Sequence, residues 1–180
     1  MKRKETTMLD VHPNVLAELH QIGASTVRLW RYSDFATPIT SPSDLASAIG
    51  LPVGRVAKTM IVAEQQADDV MRRLDPGRHL CAVLLPSPAK IDMKAVAGTY
   101  GWKRAELAQK EQVLDLFGYP SGSVSPFGLQ KIAVLIDTAL FAYPTVVTGA
   151  GKFGVELEID TSMLWKIGQP LQTRARATQT

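Results

Sequence analysis

The sequence predicts an α+β fold: a single domain with a curved, mixed β-sheet flanked by helices. Three observations lead there. Segments of helix and strand character do not keep the steady βαβ alternation of a doubly wound sheet; they run α-β-α-β, then β-α-α, then three strands and a closing helix. HLCAVLLP, residues 79–86, is apolar at nearly every position, the pattern of a strand in the middle of its sheet and covered on both faces. The 180 residues contain no internal repeat and no linker, so one domain accommodates them.

The elements follow in order. Val15, Leu16, Leu19 and Ile22 recur at helical spacing after Pro13, which suits a first helical position, and Gly23 stops that helix. TVRLWRY then reads as a strand, with Val27 and Leu29 on one face and Arg28, Trp30 and Tyr32 on the other. Ser41, Pro42 and Asp44 give a cap, a first-turn proline and an acidic first turn, and Gly50 ends the helix they start. KTMIVAE is a strand beginning at Lys58, and HLCAVLLP is the next. Residues 92–97 and the segment ELAQKEQVLDLFG, ending at Gly118, are predicted helical. IAVLID, PTVVTG and FGVELEI are three further strands, and Asp160 caps a last helix containing Met163, Leu164 and Ile167. The domain is expected to span 12–168, between an N-terminal extension at 1–11 and a frayed basic tail at 169–180.

Composition excludes several classes of function. Apolar and charged fractions of 46% and 21% are those of an ordinary globular chain. The apolar runs are too short to span a bilayer, and the basic N-terminus lacks an apolar signal core, so no membrane partner and a cytoplasmic setting are expected. A net charge of +3 permits an RNA partner without arguing for one. The one cysteine, Cys81, allows no internal disulfide and no cysteine-rich zinc site, and its setting in CAVLL reads as a small buried hydrophobe. His12, His20 and His79 lie on different elements without metal-ligand spacing and read as surface or capping residues.

Three tempting motifs fail on context. Gly149-Ala-Gly-Lys-Phe-Gly154 spells the dinucleotide string, but a strand follows it where a helix is required, and nothing after Asp160 is acidic. Gly151-Lys152 is no phosphate loop, because Val146 and Phe153 stand at the required Gly and Ser/Thr positions. Ser87-Pro-Ala-Lys90 matches the string of serine acyl-enzymes, yet a turn after a strand explains it and the companion motifs are missing. No cofactor and no metal are expected, and an enzyme built from this chain must need little from its side chains.

Three segments remain that a plain core does not require. Lys58 opens an otherwise apolar strand, in RVAKTMIV. GYPSGSVSPFG, residues 118–128, is dense in glycine, proline and small hydroxyls, a loop able to present backbone N–H groups to a ligand. Residues 148–154 form a glycine-rich strand connection that permits close approach to the backbone.

These segments, with the VLID strand between the second and third, stand in the order and spacing of the YbaK/prolyl-tRNA synthetase-associated editing domain family, which the chain resembles over roughly residues 12–168. The resemblance implies a mixed α+β fold with a curved central sheet and hydrolysis of the ester of mischarged aminoacyl-tRNA. A free-standing editing hydrolase is expected, acting on a small amino acid on tRNA(Pro) or a related tRNA, with an aminoacyl-tRNA synthetase as a further partner and no DNA. It also assigns roles. Lys58 matches the pocket lysine that orients the 3′ end of the tRNA, and Gly122 the loop glycine whose backbone lies near the substrate carbonyl. Ser123, Ser125 and Pro126 shape that loop, and Tyr32 falls where some members place a pocket tyrosine. Two departures bear on specificity: several relatives have serine where Gly149 stands and aspartate where Glu156 stands. Thr148 is the nearest hydroxyl to the missing serine, but adjacent strand residues point oppositely. A non-catalytic RNA- or protein-binding module on the same fold is the competing reading.

Overall fold

The structure is a computed structural model and describes residues 10–171. Helix α1 (Pro13–Gln21) starts where the His12 ring accepts a hydrogen bond from the Asn14 N–H, and it buries Val15 and Leu19. Strand β1 (Val27–Arg31) follows, then helix α2 (Pro42–Ile49). Ser41 caps α2 by accepting from the Asp44 N–H at 3.1 Å, and Gly50 closes it in the left-handed region at φ 71°. Strand β2 (Ala57–Glu64) is joined by two short helices, α3 (Asp69–Leu74) and α4 (Pro76–His79), to strand β3 (Leu80–Pro86). Helix α5 (Met93–Tyr100), strand β4 (Ala105–Leu107), helix α6 (Lys110–Phe117) and strands β5 (Ala133–Asp137), β6 (Thr145–Gly149), β7 (Val155–Asp160) and β8 (Gln169–Leu171) complete the chain.

The strands form two hydrogen-bonded groups, β4-β2-β3-β5-β8 and β1-β7-β6. In the larger, β2 runs antiparallel to β3 and β4, whereas β3-β5 and β5-β8 are parallel, so the sheet is mixed. The smaller is antiparallel throughout. An isolated parallel bridge, Val56 to Val147, joins the two.

Strand β3 is the third of five and all seven of its residues are buried, as its unbroken apolar run requires. Leu80, Ala82 and Leu84 face a core shared with α1, α6 and the smaller sheet, while Cys81, Val83 and Leu85 face α5. A third cluster seats Leu45 and Ala46 of α2 against Val56 and Val147.

Several expectations need correction. The segment at 105–107 is an edge strand bonded to β2, and α6 begins only at Lys110. Gln109 caps it without a side-chain hydrogen bond, which is why the boundary left no mark in the sequence. The closing helix is 3₁₀, over Thr161–Lys166, with Asp160 as its cap. Just beyond it, Gly168 lies so close to β5 that a Cβ would sit 2.5 Å from the Val134 carbonyl oxygen. The chain thereby enters β8, so the first three residues of the expected tail are ordered strand; residues 172–180 lie outside those described. Asp10 and Val11, placed in the expected extension, are tied in by the Arg31 ion pair at 2.6 Å and by burial. His79 is not a surface residue. The ring is buried, with its Nδ1 2.7 Å from Oε2 of the partly buried Glu64.

Leu84 is wholly buried at the centre of the larger sheet. Leu84→Ala is expected to lower stability by about 2–5 kcal/mol, read as a shifted denaturant midpoint. A loss under about 1 kcal/mol would show that the site collapses around the smaller side chain.

Candidate active site

A cavity of about 670 Å³ opens between the two sheets. Its floor is Val56 and the following five residues of β2, to Ile61; one wall is Ser121, Gly122 and Val124, the other Gly149, Phe153, Gly154 and Glu156 with Tyr32. The N-terminal ends of α2 and α6, at Ser41, Pro42 and Lys110, border it.

Lys58 is partly buried, on the strand floor between Ala57 and Thr59, and its Nζ donates to the Ser87 carbonyl at 2.8 Å. An ammonium has three donors, so this bond aims the group while leaving two for a ligand. The Thr59 and Ser87 hydroxyls beside it are buried without a protein partner. Across the cavity, Tyr32 donates its hydroxyl to Glu156 Oε1 at 2.9 Å. Burial raises the Glu156 carboxyl to about 7, and the Tyr32 hydrogen bond offsets only part of that shift. The Tyr32 phenol is raised in turn, first by burial and then by the Glu156 charge.

The walls are set by backbone packing. Gly122, at φ 83°, is exposed and has nothing within 4 Å of where a Cβ would stand. Its loop is pinned from behind: the Tyr119 hydroxyl donates to the Phe127 carbonyl at 2.5 Å, and the Ser125 hydroxyl accepts from the Phe127 N–H at 3.2 Å. The Gly128 N–H donates to Glu18. The loop presses on Gly149, where a Cβ would meet the Val124 carbonyl oxygen at 2.6 Å. A serine side chain therefore has no room at 149 unless the loop retreats. Arg55, Thr145, Glu158 and Trp30 then rivet the start of β2 to the smaller sheet, with Arg55 Nη2 3.1 Å from Glu158 Oε1.

Of the residues singled out from sequence, Lys58, Gly122, Tyr32, Gly149 and Glu156 meet at this cavity. Ser123, Ser125 and Pro126 are buried behind the loop, where Ser123 donates to the Pro120 carbonyl at 2.9 Å. Thr148 is fully buried on the other face of β6, paired in register with core residue Leu157, so its hydroxyl does not reach the cavity. Ser87, Lys110 and Phe153 were not assigned to the site from sequence. Ser87 and Phe153 had been weighed inside other motifs, and Lys110 carries no signal beyond its charge. Cys81 is buried in β3, where burial pushes its thiol up to about 12, the state of an inert core cysteine.

The sequence model of the aminoacyl-tRNA editing domain matches residues 36–167, nearly three quarters of the chain. The chain belongs to the aminoacyl-tRNA editing domain family. Among relatives of this editing domain, a proline–tRNA ligase of Pelobacter propionicus is 29% identical over 132 residues, 72% of this chain but 21% of the ligase. An Enterococcus faecalis protein named "Putative Cys-tRNA(Pro)/Cys-tRNA(Cys) deacylase EbsC" is 23% identical over 120 residues, covering 66% of each chain. This chain thus matches about a fifth of the first relative's length and just under two thirds of the second's. A solved structure described as a "putative trans-editing enzyme for prolyl tRNA synthetase" superposes with a TM-score of 0.69 at 18% identity, over 89% of this chain and 96% of that one. At that identity the superposition establishes the editing-domain fold alone.

The buried carboxylate gives a pH-dependent expectation. Glu156 has a folded pKa above the ordinary glutamate value of 4.5, so its burial costs nothing below that value and destabilises increasingly as pH rises from 4.5 to about 7. Glu156→Gln should therefore be about as stable as the parent at pH 4 and more stable at pH 8, with the margin growing between. Carbon-detected NMR of the Glu156 carboxyl should titrate near 7; a midpoint near 4.5 would refute the desolvated site.

Proposed function

We propose that this chain hydrolyses the ester bond of mischarged aminoacyl-tRNA, removing a small amino acid from tRNA(Pro) or a related tRNA. The observation that carries the reading is the pairing, across one cavity, of Lys58 on its floor and Glu156, the one acidic side chain among its lining residues. An aminoacyl ester at the 3′ end of a tRNA is negative at its phosphates and positive at its α-ammonium. The cavity's ionisable groups are arranged in the same sense, with Lys58 and the exposed Lys110 for the phosphates and Glu156, once ionised above about pH 7, for the ammonium.

Such an ester is already reactive, so orientation, a placed water and charge stabilisation suffice. The water oxygen attacks the carbonyl carbon beside the Gly122 loop, whose backbone stabilises the tetrahedral oxyanion. The bond to the ribose oxygen then breaks, that oxygen takes up a proton, and free amino acid and tRNA leave. The proposed chemistry calls on no metal ion. The names of the ligase and deacylase relatives support tRNA(Pro) as the carrier, and a prolyl-tRNA synthetase as the associated enzyme. No helix among the described residues is long and apolar enough to cross a membrane. The absent hydroxyl at Gly149 is what favours the competing reading, a non-catalytic binding module on the same fold.

Deacylation of tRNAs mischarged with alanine, cysteine, serine and threonine decides between the two: at least one should be cleaved, and a panel with no product would favour the binding module. Lys58→Ala and Lys58→Arg should both fold and both lose most activity, Ala the more, because the planar guanidinium does not reproduce a compact ammonium held by the Ser87 carbonyl. Parental rates in Lys58→Ala would remove the assignment. Activity should also survive dialysis against a strong chelator; loss on chelation with recovery on zinc would overturn metal independence.

A further inference from the structure

Phe153 is 79% exposed, yet it lines the rim of the cavity. It sits in the β6–β7 connection between Gly151 and Gly154, both in the left-handed region at φ 78° and 75°. That connection is held in place: Gly154 accepts from the Tyr32 N–H at 2.9 Å, and a Cβ at Gly151 would meet His12 at 2.6 Å and Tyr119 at 2.9 Å. Phe153 also meets the Tyr32 ring edge-on, at 6.5 Å and 68°. Tyr32 is fixed in turn by its bond to Glu156, so Phe153 stands on a defined support with one face toward solvent.

We infer that Phe153 is the stacking platform for the terminal nucleobase of the tRNA substrate. The inference rests on the editing reading and adds a residue to it. Covalent connectivity selects the occupant. The scissile ester is on the terminal ribose, and the base hangs from that same ribose. With the carbonyl beside Gly122 and the α-ammonium at Glu156, the base emerges at the cavity rim within one nucleoside. The exposed aromatic surface at that rim is Phe153. Stacking on an aromatic ring tolerates any base, because every base has a π-face, and it gains by covering apolar surface that is otherwise wet.

The test uses two acceptor minihelices, one intact and one with an abasic terminal ribose, each carrying whichever amino acid of the four-ester panel is cleaved fastest. With the parental protein, loss of the base should raise KM about 5- to 150-fold, the usual worth of one stacked base. Phe153→Ala should raise KM on the intact minihelix by a similar factor, Phe153→Trp should restore it, and Phe153→Leu should not. On the abasic minihelix Phe153→Ala should add nothing further. Equal KM values for both minihelices with the parental protein would overturn the inference and leave the editing reading standing. So would an equal effect of Phe153→Ala on both, which would make the ring a cover for the amino acid, or rescue by Leu. If the parental protein cleaves no ester of the panel and neither minihelix, the editing reading fails and this inference falls with it.

Discussion

The architecture of the site depends on one close approach, between the loop at 118–128 and the turn at 149–154. At Gly149 and Gly151 the contact leaves no room for a side chain. A Cβ on Gly149 would stand 2.6 Å from the Val124 carbonyl oxygen, and one on Gly151 would strike both Tyr119 and His12. Two backbones pressed together in this way close one end of the cavity and hold Gly122 facing it. The packing behind the contact serves the same purpose. Tyr119 bonds across its own loop, Glu18 holds Gly128 from α1, and the Ser125 hydroxyl satisfies the Phe127 N–H. Each removes a polar group that would otherwise be buried unpaired, and together they make the loop rigid enough for its backbone to act as a binding surface.

Charge placement follows from the sheet geometry. Lys58 lies near the end of β2 that meets the smaller sheet, and Glu156 near the end of β7 that borders the same cavity. The Arg55–Glu158 pair and the Trp30 and Thr145 hydrogen bonds lock those ends together. Glu158 is the residue two further along β7, so it shares a strand face with Glu156 yet is fully engaged by partners. The difference matters: Glu158 is held by Trp30, Arg55 and Thr145, whereas Glu156 has Tyr32 and the cavity, and burial pushes the Glu156 carboxyl up to about 7.

Legibility in the sequence tracked how local the determining physics was. Helix α2 could be read to the residue because its cap, first-turn proline and terminal glycine are all local signals. Strand β3 was legible because burial on both faces writes itself as an unbroken apolar run. The edge strand at 105–107 was not, because its state depends on β2, far away in the chain. The same holds within the site. Lys58 and Gly122 stand out by being odd for their surroundings, and the family resemblance named them. Ser87 contributes a backbone carbonyl, to which its side-chain identity is irrelevant. Phe153 is hidden within a glycine string that spells a dinucleotide motif; its exposure is a property of the folded turn.

The missing hydroxyl at Gly149 bears on selection more than on the chemistry. Ester hydrolysis in such a cavity draws on backbone donors, a positioned water and fixed charges, none of which a strand hydroxyl must supply. What the glycine permits is the inward position of the loop, and that position limits the space beside the scissile carbonyl. A steric limit rejects larger amino acids more effectively than an apolar pocket can reject smaller ones, since a missing methylene is worth only about 1–3 kcal/mol. The division of labour in the proposed enzyme is then plain. On the proposed reading, size is read where Val124 meets Gly149, the ammonium by Glu156, and the nucleic acid by Lys58 on the floor and Phe153 at the rim. Three readings at separate points along one cavity let weak interactions combine on an ester that is already activated toward hydrolysis.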